Sequence, residues 1–186
     1  MARLQIHTPD SAPAASLPLV QQALNNNGYL PNLIGVLANA PAALEAYFAV
    51  GSLNAQASLS LAEREAVQLT AARLNGCDFC VAGHTALALR KAQLDGTTVL
   101  SLQQGRPTGQ ARLDAVQAFT AEVIGSRGAV SDEALQAFLG AGFTQAQSLE
   151  VVLGVSLATL CNFANTLAQS PVNPQLEPYR PGVFKG

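Results

Sequence analysis

Two runs of helix-forming residues, EREAVQLTAARL and DFCVAGHTALALR, are separated only by Asn75-Gly76-Cys77, and this break constrains the fold more than any other feature. Asn-Gly stops a helix, and so short a link returns the chain as an antiparallel hairpin. Ser60 followed by Glu63 is a capping-box pattern, so the first helix is expected from Ser60 to Leu74. The second is expected to carry Cys77 through Gln93 and to end at Asp95-Gly96.

The same punctuation recurs along the chain, and strand signals are nearly absent. Helices are expected at Leu17–Asn27, with Gly28 as left-handed cap, at Pro31–Ala38, and from a cap at Asn39 to about Val50. Others are expected at Thr98–Gln104, Ala111–Ile124, Asp132–Leu139 and Gln145–Gln169, the last capped by Thr144. The expectation is a single all-α domain over 1–186, with its core at about 17–170. Residues 171–186, rich in proline and without periodicity, read as an extended C-terminal arm.

Only 12% of the residues are charged while 49% are apolar; soluble domains carry about 25% charge. So little charge leaves surplus apolar surface, which predicts a homo-oligomer. The formal net charge is −2 and the basic residues are scattered, which argues against nucleic acid as a partner. MARLQIHTPDSAPAASL lacks the pattern of a secretory signal, so a cytoplasmic location is expected. The most apolar stretch, LEVVLGVSLATLCNFANTLA, is interrupted by Glu150, Asn162 and Asn165 and reads as a buried helix, not a membrane span.

Three cysteines make no disulfide framework, and a C-x-x-C pair in a reducing compartment is more often catalytic or metal-binding. At about 100° per residue, Cys77, Cys80 and His84 fall within an arc of about 60°. In the expected hairpin Glu65 stands level with His84, and Glu63, at the helix start, is left with capping. Thiols at a helix start gain from its free N–H groups. His84 can accept a thiol proton, and Glu65 can fix the imidazole tautomer.

Three readings compete for this cluster: a metal site, a redox site and ordinary packing. Structural zinc needs four ligands, and only the distant Cys161 and His7 could complete the set, so no metal and no cofactor are expected. Covalent haem attachment needs His where Val81 stands. The shared face, the level carboxylate and the helix-start placement favour the redox reading. Cys161 reads as an inert core thiol, His7 as solvated, Arg73 and Asp78 as exposed, and Asn162 and Asn165 as satisfying buried polar partners or an interface.

The order Glu65, Cys77, Cys80, His84 resembles the active-site signature of the alkylhydroperoxidase AhpD-like group in the carboxymuconolactone decarboxylase superfamily. NGYLPNLIGVLANAPAALEAYF and LEVVLGVSLATLCNFANTLA are similar to segments of its peroxidase-related branch, so the resemblance spans roughly residues 27–175. It implies an AhpD-like helical bundle, assembly into trimers or hexamers, and a peroxidase cycle acting on alkyl hydroperoxides or hydrogen peroxide. In that cycle Cys80 attacks the hydroperoxide, Cys77 resolves the sulfenic acid to a disulfide, and an external dithiol reductant restores both. Glu65 and His84 match the family's proton relay. The chain departs from the pattern at Phe79, where well-studied members carry a second histidine. The alternatives are a decarboxylase-type lyase, which makes no use of a dithiol, and a non-catalytic redox sensor.

Overall fold

Side-chain caps fix where most of the helices begin. The computed structural model describes residues 2–186; residue 1 of the expected domain lies outside the described residues. The order is α1 (Leu17–Asn27), α2 (Asn32–Leu37), α3 (Pro41–Ala55), α4 (Leu61–Leu74), α5 (Asp78–Arg90), α6 (Gly96–Gln104), α7 (Ala111–Gly125), α8 (Asp132–Gly140) and α9 (Gln145–Ala168), followed by a 3-10 turn at Pro174–Tyr179. No strand occurs among the described residues, and the fold is all-α.

α4 is the central element, packed on α5, α7 and α9, and Ala66, Leu69, Ala71 and Ala72 along it are wholly buried. Ser60 and Glu63 form the expected capping box, and Glu63 additionally pairs with Arg112 Nε at 2.7 Å. α9 approaches α4 closely at Gly154, where a Cβ would meet Val67 Cγ1 at 2.9 Å; Gln68 Nε2 donates to the Gly154 carbonyl at 2.9 Å. By length and composition α9 could cross a membrane, but it packs on α2, α3, α4 and α7 with Val151, Ala158, Cys161 and Asn162 buried.

Several expectations are corrected. Asn39 does not cap α3; its amide donates to Val36 O at 2.8 Å and Gln5 O at 2.7 Å, so it closes α2 and ties down the leader. α3 runs on to Ala55. Asp95 opens α6 rather than closing α5, its side chain accepting from Thr98 N at 2.9 Å. α5 ends at Arg90, and Gln93 takes a positive φ of 55° just beyond it.

His7 is buried, at 8% exposure, instead of solvated. The leader crosses α2 at Gly35, whose carbonyl accepts from His7 N at 3.0 Å and where a Cβ would meet His7 O at 2.6 Å. Arg73 is half-buried rather than exposed, its guanidinium filling the space beside Gly105. Asp78 is exposed as expected.

Residues 171–186 are not an extended arm. Their proline-rich sequence makes the 3-10 turn, which packs on α5 and buries Leu176. Asn173 Oδ1 accepts from Asn32 N at 2.9 Å, and Gln103 Nε2 donates to Tyr179 O at 2.8 Å. The segment is therefore a wall of this chain's own bundle.

Candidate active site

The three-residue link Asn75-Gly76-Cys77 lets α4 and α5 lie side by side, and Gly76 supplies the positive φ of 66° that the turn requires. Cys77 N donates back to Ala72 O at 2.9 Å, which fixes Cys77 as the residue just before α5. It is the N-cap of that helix and not its first turn: its Sγ accepts from Cys80 N at 3.3 Å, the role a serine or threonine oxygen usually fills.

All four expected site residues are brought together. Cys77 Sγ and Cys80 Sγ are free thiols 2.7 Å apart, so a disulfide could close with little backbone movement. His84 Nδ1 donates to Glu65 Oε2 at 2.8 Å across the two helices. A carboxylate can only accept, so Nδ1 holds its proton and the neutral ring keeps its lone pair on Nε2. Glu65 is buried, with His84 as its partner, while Glu63 is tied to Ser60 and Arg112.

The two thiols are not equivalent. Donation to Cys80, then burial, then the charge of Cys80 push the Cys77 thiol far above its ordinary range. The helix-start argument that would make Cys77 the more acidic thiol is thereby outweighed: as donor to its neighbour, Cys77 keeps its proton. A negative charge placed on Cys80 would accept that S–H and also the Asn165 amide, whose Nδ2 lies 3.3 Å from Cys80 Sγ.

Asn165 is the site residue that sequence reasoning missed. The sequence leads one to expect a buried polar partner or an interface there; the partner is the candidate nucleophile. The signal was a polar residue one turn beyond Cys161 in the most apolar helix. Asn162 does take a buried polar partner, accepting from Asn75 Nδ2 at 2.9 Å beside the break.

Cys80 and His84 line a cavity of about 580 Å³ with Tyr47, Phe48, Leu157 and Leu176. Cys161 lines it too; burial, then the charge of Cys77, raise its thiol to about 12, so it stays protonated near neutrality. Burial, then the charges of Cys161 and Cys80, push the Tyr47 phenol up, which keeps it a hydrogen-bond donor. Arg90 and Lys91 stand on the same lining, on which no Asp or Glu occurs among the described residues. A second cleft, of about 450 Å³, lies on the other side of the pair and is lined by Cys77, Asp78, Phe79, Asn165 and Thr166. Among the described residues no group of three or more His, Cys, Asp and Glu is placed to hold a metal ion.

Residues 41–122, which carry Glu65, Cys77, Cys80 and His84, match the carboxymuconolactone decarboxylase family. No curated protein matches the chain. Among solved structures, the fold is similar to a peroxidase-related protein with an alkylhydroperoxidase AhpD core from Ralstonia eutropha JMP134, at 18% identity over 95% of both chains with a TM-score of 0.85. It is similar also to a peroxidase-related protein from Silicibacter sp. TM1040, at 18% identity over 99% of this chain and 96% of the other, with a TM-score of 0.80. The debrominase Bmp8 shares the fold at 15% identity over 93% of this chain and 92% of its own, with a TM-score of 0.76.

Proposed function

For a chain whose residues 41–122 match the carboxymuconolactone decarboxylase family and whose fold is AhpD-like, we propose a thiol-dependent peroxidase that turns over on Cys80 and Cys77. The observation that carries this reading is the dithiol at 2.7 Å, with Cys80 opening on an organic-sized cavity beside a Glu65-oriented His84. The Cys80 proton passes to His84, and the thiolate attacks the outer peroxide oxygen. The O–O bond breaks; the alkoxide leaves and takes the proton from His84 as alcohol, and Cys80 becomes a sulfenic acid. Cys77 then attacks the sulfenic sulfur, its own proton leaving with the hydroxyl as water, and a disulfide forms. An external dithiol returns both sulfurs to thiols.

An apolar cavity of this size suits an organic hydroperoxide better than hydrogen peroxide alone. Phe79 separates the cavity from the second cleft, so in this chain the position of the family's second histidine serves as a partition and His84 with Glu65 carries the proton relay.

The unit at work is a homo-oligomer. Leu149, Val152, Phe163 and Leu167 are 71%, 44%, 58% and 63% exposed and recur at helical spacing on α9, a face that a second copy would cover. The deciding experiment supplies cumene hydroperoxide and dithiothreitol to the wild type and to Cys80→Ser and Cys77→Ser. Loss of turnover in both variants supports the peroxidase, and wild-type turnover in both ends it. A disulfide that forms without turnover would favour the redox sensor.

A further inference from the structure

Cys80 lines the larger cavity and Cys77 does not; Cys77 lines the smaller cleft and Cys80 does not. Phe79, between them in sequence, lines both, so this residue stands between the two openings. The two sulfurs touch, yet each faces a different opening. From this we infer that the dithiol is served from two sides: hydroperoxide reaches Cys80 through the cavity, and a slender dithiol reductant reaches Cys77 through the cleft.

This rests on the peroxidase reading for its oxidant, but the reductive half stands on the placement of the two thiols on separate openings. In exchange, the sulfur that is attacked decides which thiolate must leave, and the more stable thiolate leaves faster. Attack on Cys77 expels Cys80, whose sulfur faces the Asn165 amide at 3.3 Å. Access through the cleft and the amide beside the departing sulfur thus point to the same attack, on Cys77.

The step balances without a further reactant. A reductant thiolate bonds to Cys77 Sγ, the Cys77–Cys80 bond breaks, and its electron pair goes to Cys80. The reductant's second thiol, as thiolate, then attacks its own sulfur in the mixed disulfide, closing a reductant disulfide and releasing Cys77, which takes up a proton. Cys77 lines the cleft and is only 4% exposed, which suits a short aliphatic dithiol better than a thiol set flush on a protein surface. The polar walls from Asp78, Thr166, Gln169, Glu177 and Arg180 suit a hydrophilic chain.

Two plugs test the inference. Thr166 is exposed on α9, and Thr166→Trp fills the cleft; Thr166→Leu is a smaller plug should the first fail to fold. Gly83→Leu fills the cavity instead, because a Cβ there meets only Leu176 Cδ1 at 3.9 Å. Iodoacetamide alkylation of Cys77, measured in a Cys80→Ser background, should slow at least tenfold with the Thr166 plug and not with the Gly83 plug. In a Cys77→Ser background, alkylation of Cys80 should show the reverse. Protein oxidised with diamide should be reduced by dithiothreitol at least tenfold more slowly with the cleft plugged, while oxidation of the reduced protein by cumene hydroperoxide keeps its wild-type rate. If no form reacts with hydroperoxide but the alkylation and reduction rates divide as stated, the peroxidase reading fails and two-sided access stands. If both plugs slow the same cysteine, or if reduction ignores the Thr166 plug, two-sided access is overturned.

Discussion

Asn165 Nδ2 donates to Cys80 Sγ at 3.3 Å, joining the longest helix of the bundle to the sulfur that opens on the cavity. A hydrogen bond to a charged group is worth about 1.5–3 kcal/mol, or roughly 10- to 150-fold in an equilibrium. Asn165→Ala should therefore slow Cys80 alkylation at pH 7 by about 10- to 100-fold in these terms. Because Asn165 Oδ1 has no partner, folding stability should change little. Equal rates at pH 7 would show that the amide does not act on the thiolate.

Glu65→Gln keeps an oxygen that can accept from His84 Nδ1 but removes the charge that stabilises the ring once it has taken a proton. General acid–base catalysis by a positioned group is worth about 10²–10⁴. Oxidation by cumene hydroperoxide, followed by quenched thiol counting, should slow about 100-fold on that scale, while dithiothreitol reduction of the disulfide is unaffected. An unchanged oxidation rate would remove Glu65 from the relay.

Glu63 pairs with Arg112 and caps α4. Burial pushes its carboxyl up, but Arg112 and the Ser60 N–H and hydroxyl outweigh that and hold it below the ordinary value of 4.5. A carboxylate whose folded value is depressed adds stability above the unfolded value and loses it as pH falls through the folded one. Glu63→Gln should thus lower the urea midpoint at pH 7, and the gap from wild type should close as pH drops below 4.5. A gap independent of pH would assign the loss to packing.

The α9 face predicts assembly. Leu149→Lys with Leu167→Lys should shift the protein to a smaller species in light scattering while leaving the helical circular dichroism unchanged, since both side chains lie outside the core. A wild type that is already monomeric would contradict the proposed oligomer.

The hairpin region was the most legible part of the fold because its signals are local: a capping box, an Asn-Gly break and a face repeat each act within one turn. The meeting of Glu65 with His84 followed from rise per residue alone. The contact of Asn165 with Cys80 joins residues 85 positions apart, a separation on which no local pattern bears. The burial of His7 and the folding of Leu176 onto α5 likewise depend on long-range packing that proline and polar composition conceal. Cys77 shows a subtler limit: a sequence reads as the start of a helix whether a residue caps it or enters it, and here the cap is what turns the Cys77 sulfur onto Cys80 N.

Leu176 forms part of the cavity wall, yet it is 96 residues beyond Cys80. At synthesis rates of about 5–20 residues per second, that separation is roughly 5–20 s. During that interval a nascent chain has both thiols but lacks the Leu157 and Leu176 part of the wall, so the dithiol meets the cell's oxidants before its own filter is complete. The pair's chemistry must then tolerate a period of unselective exposure, and a disulfide formed early is one that the cleft side can still undo after the wall closes.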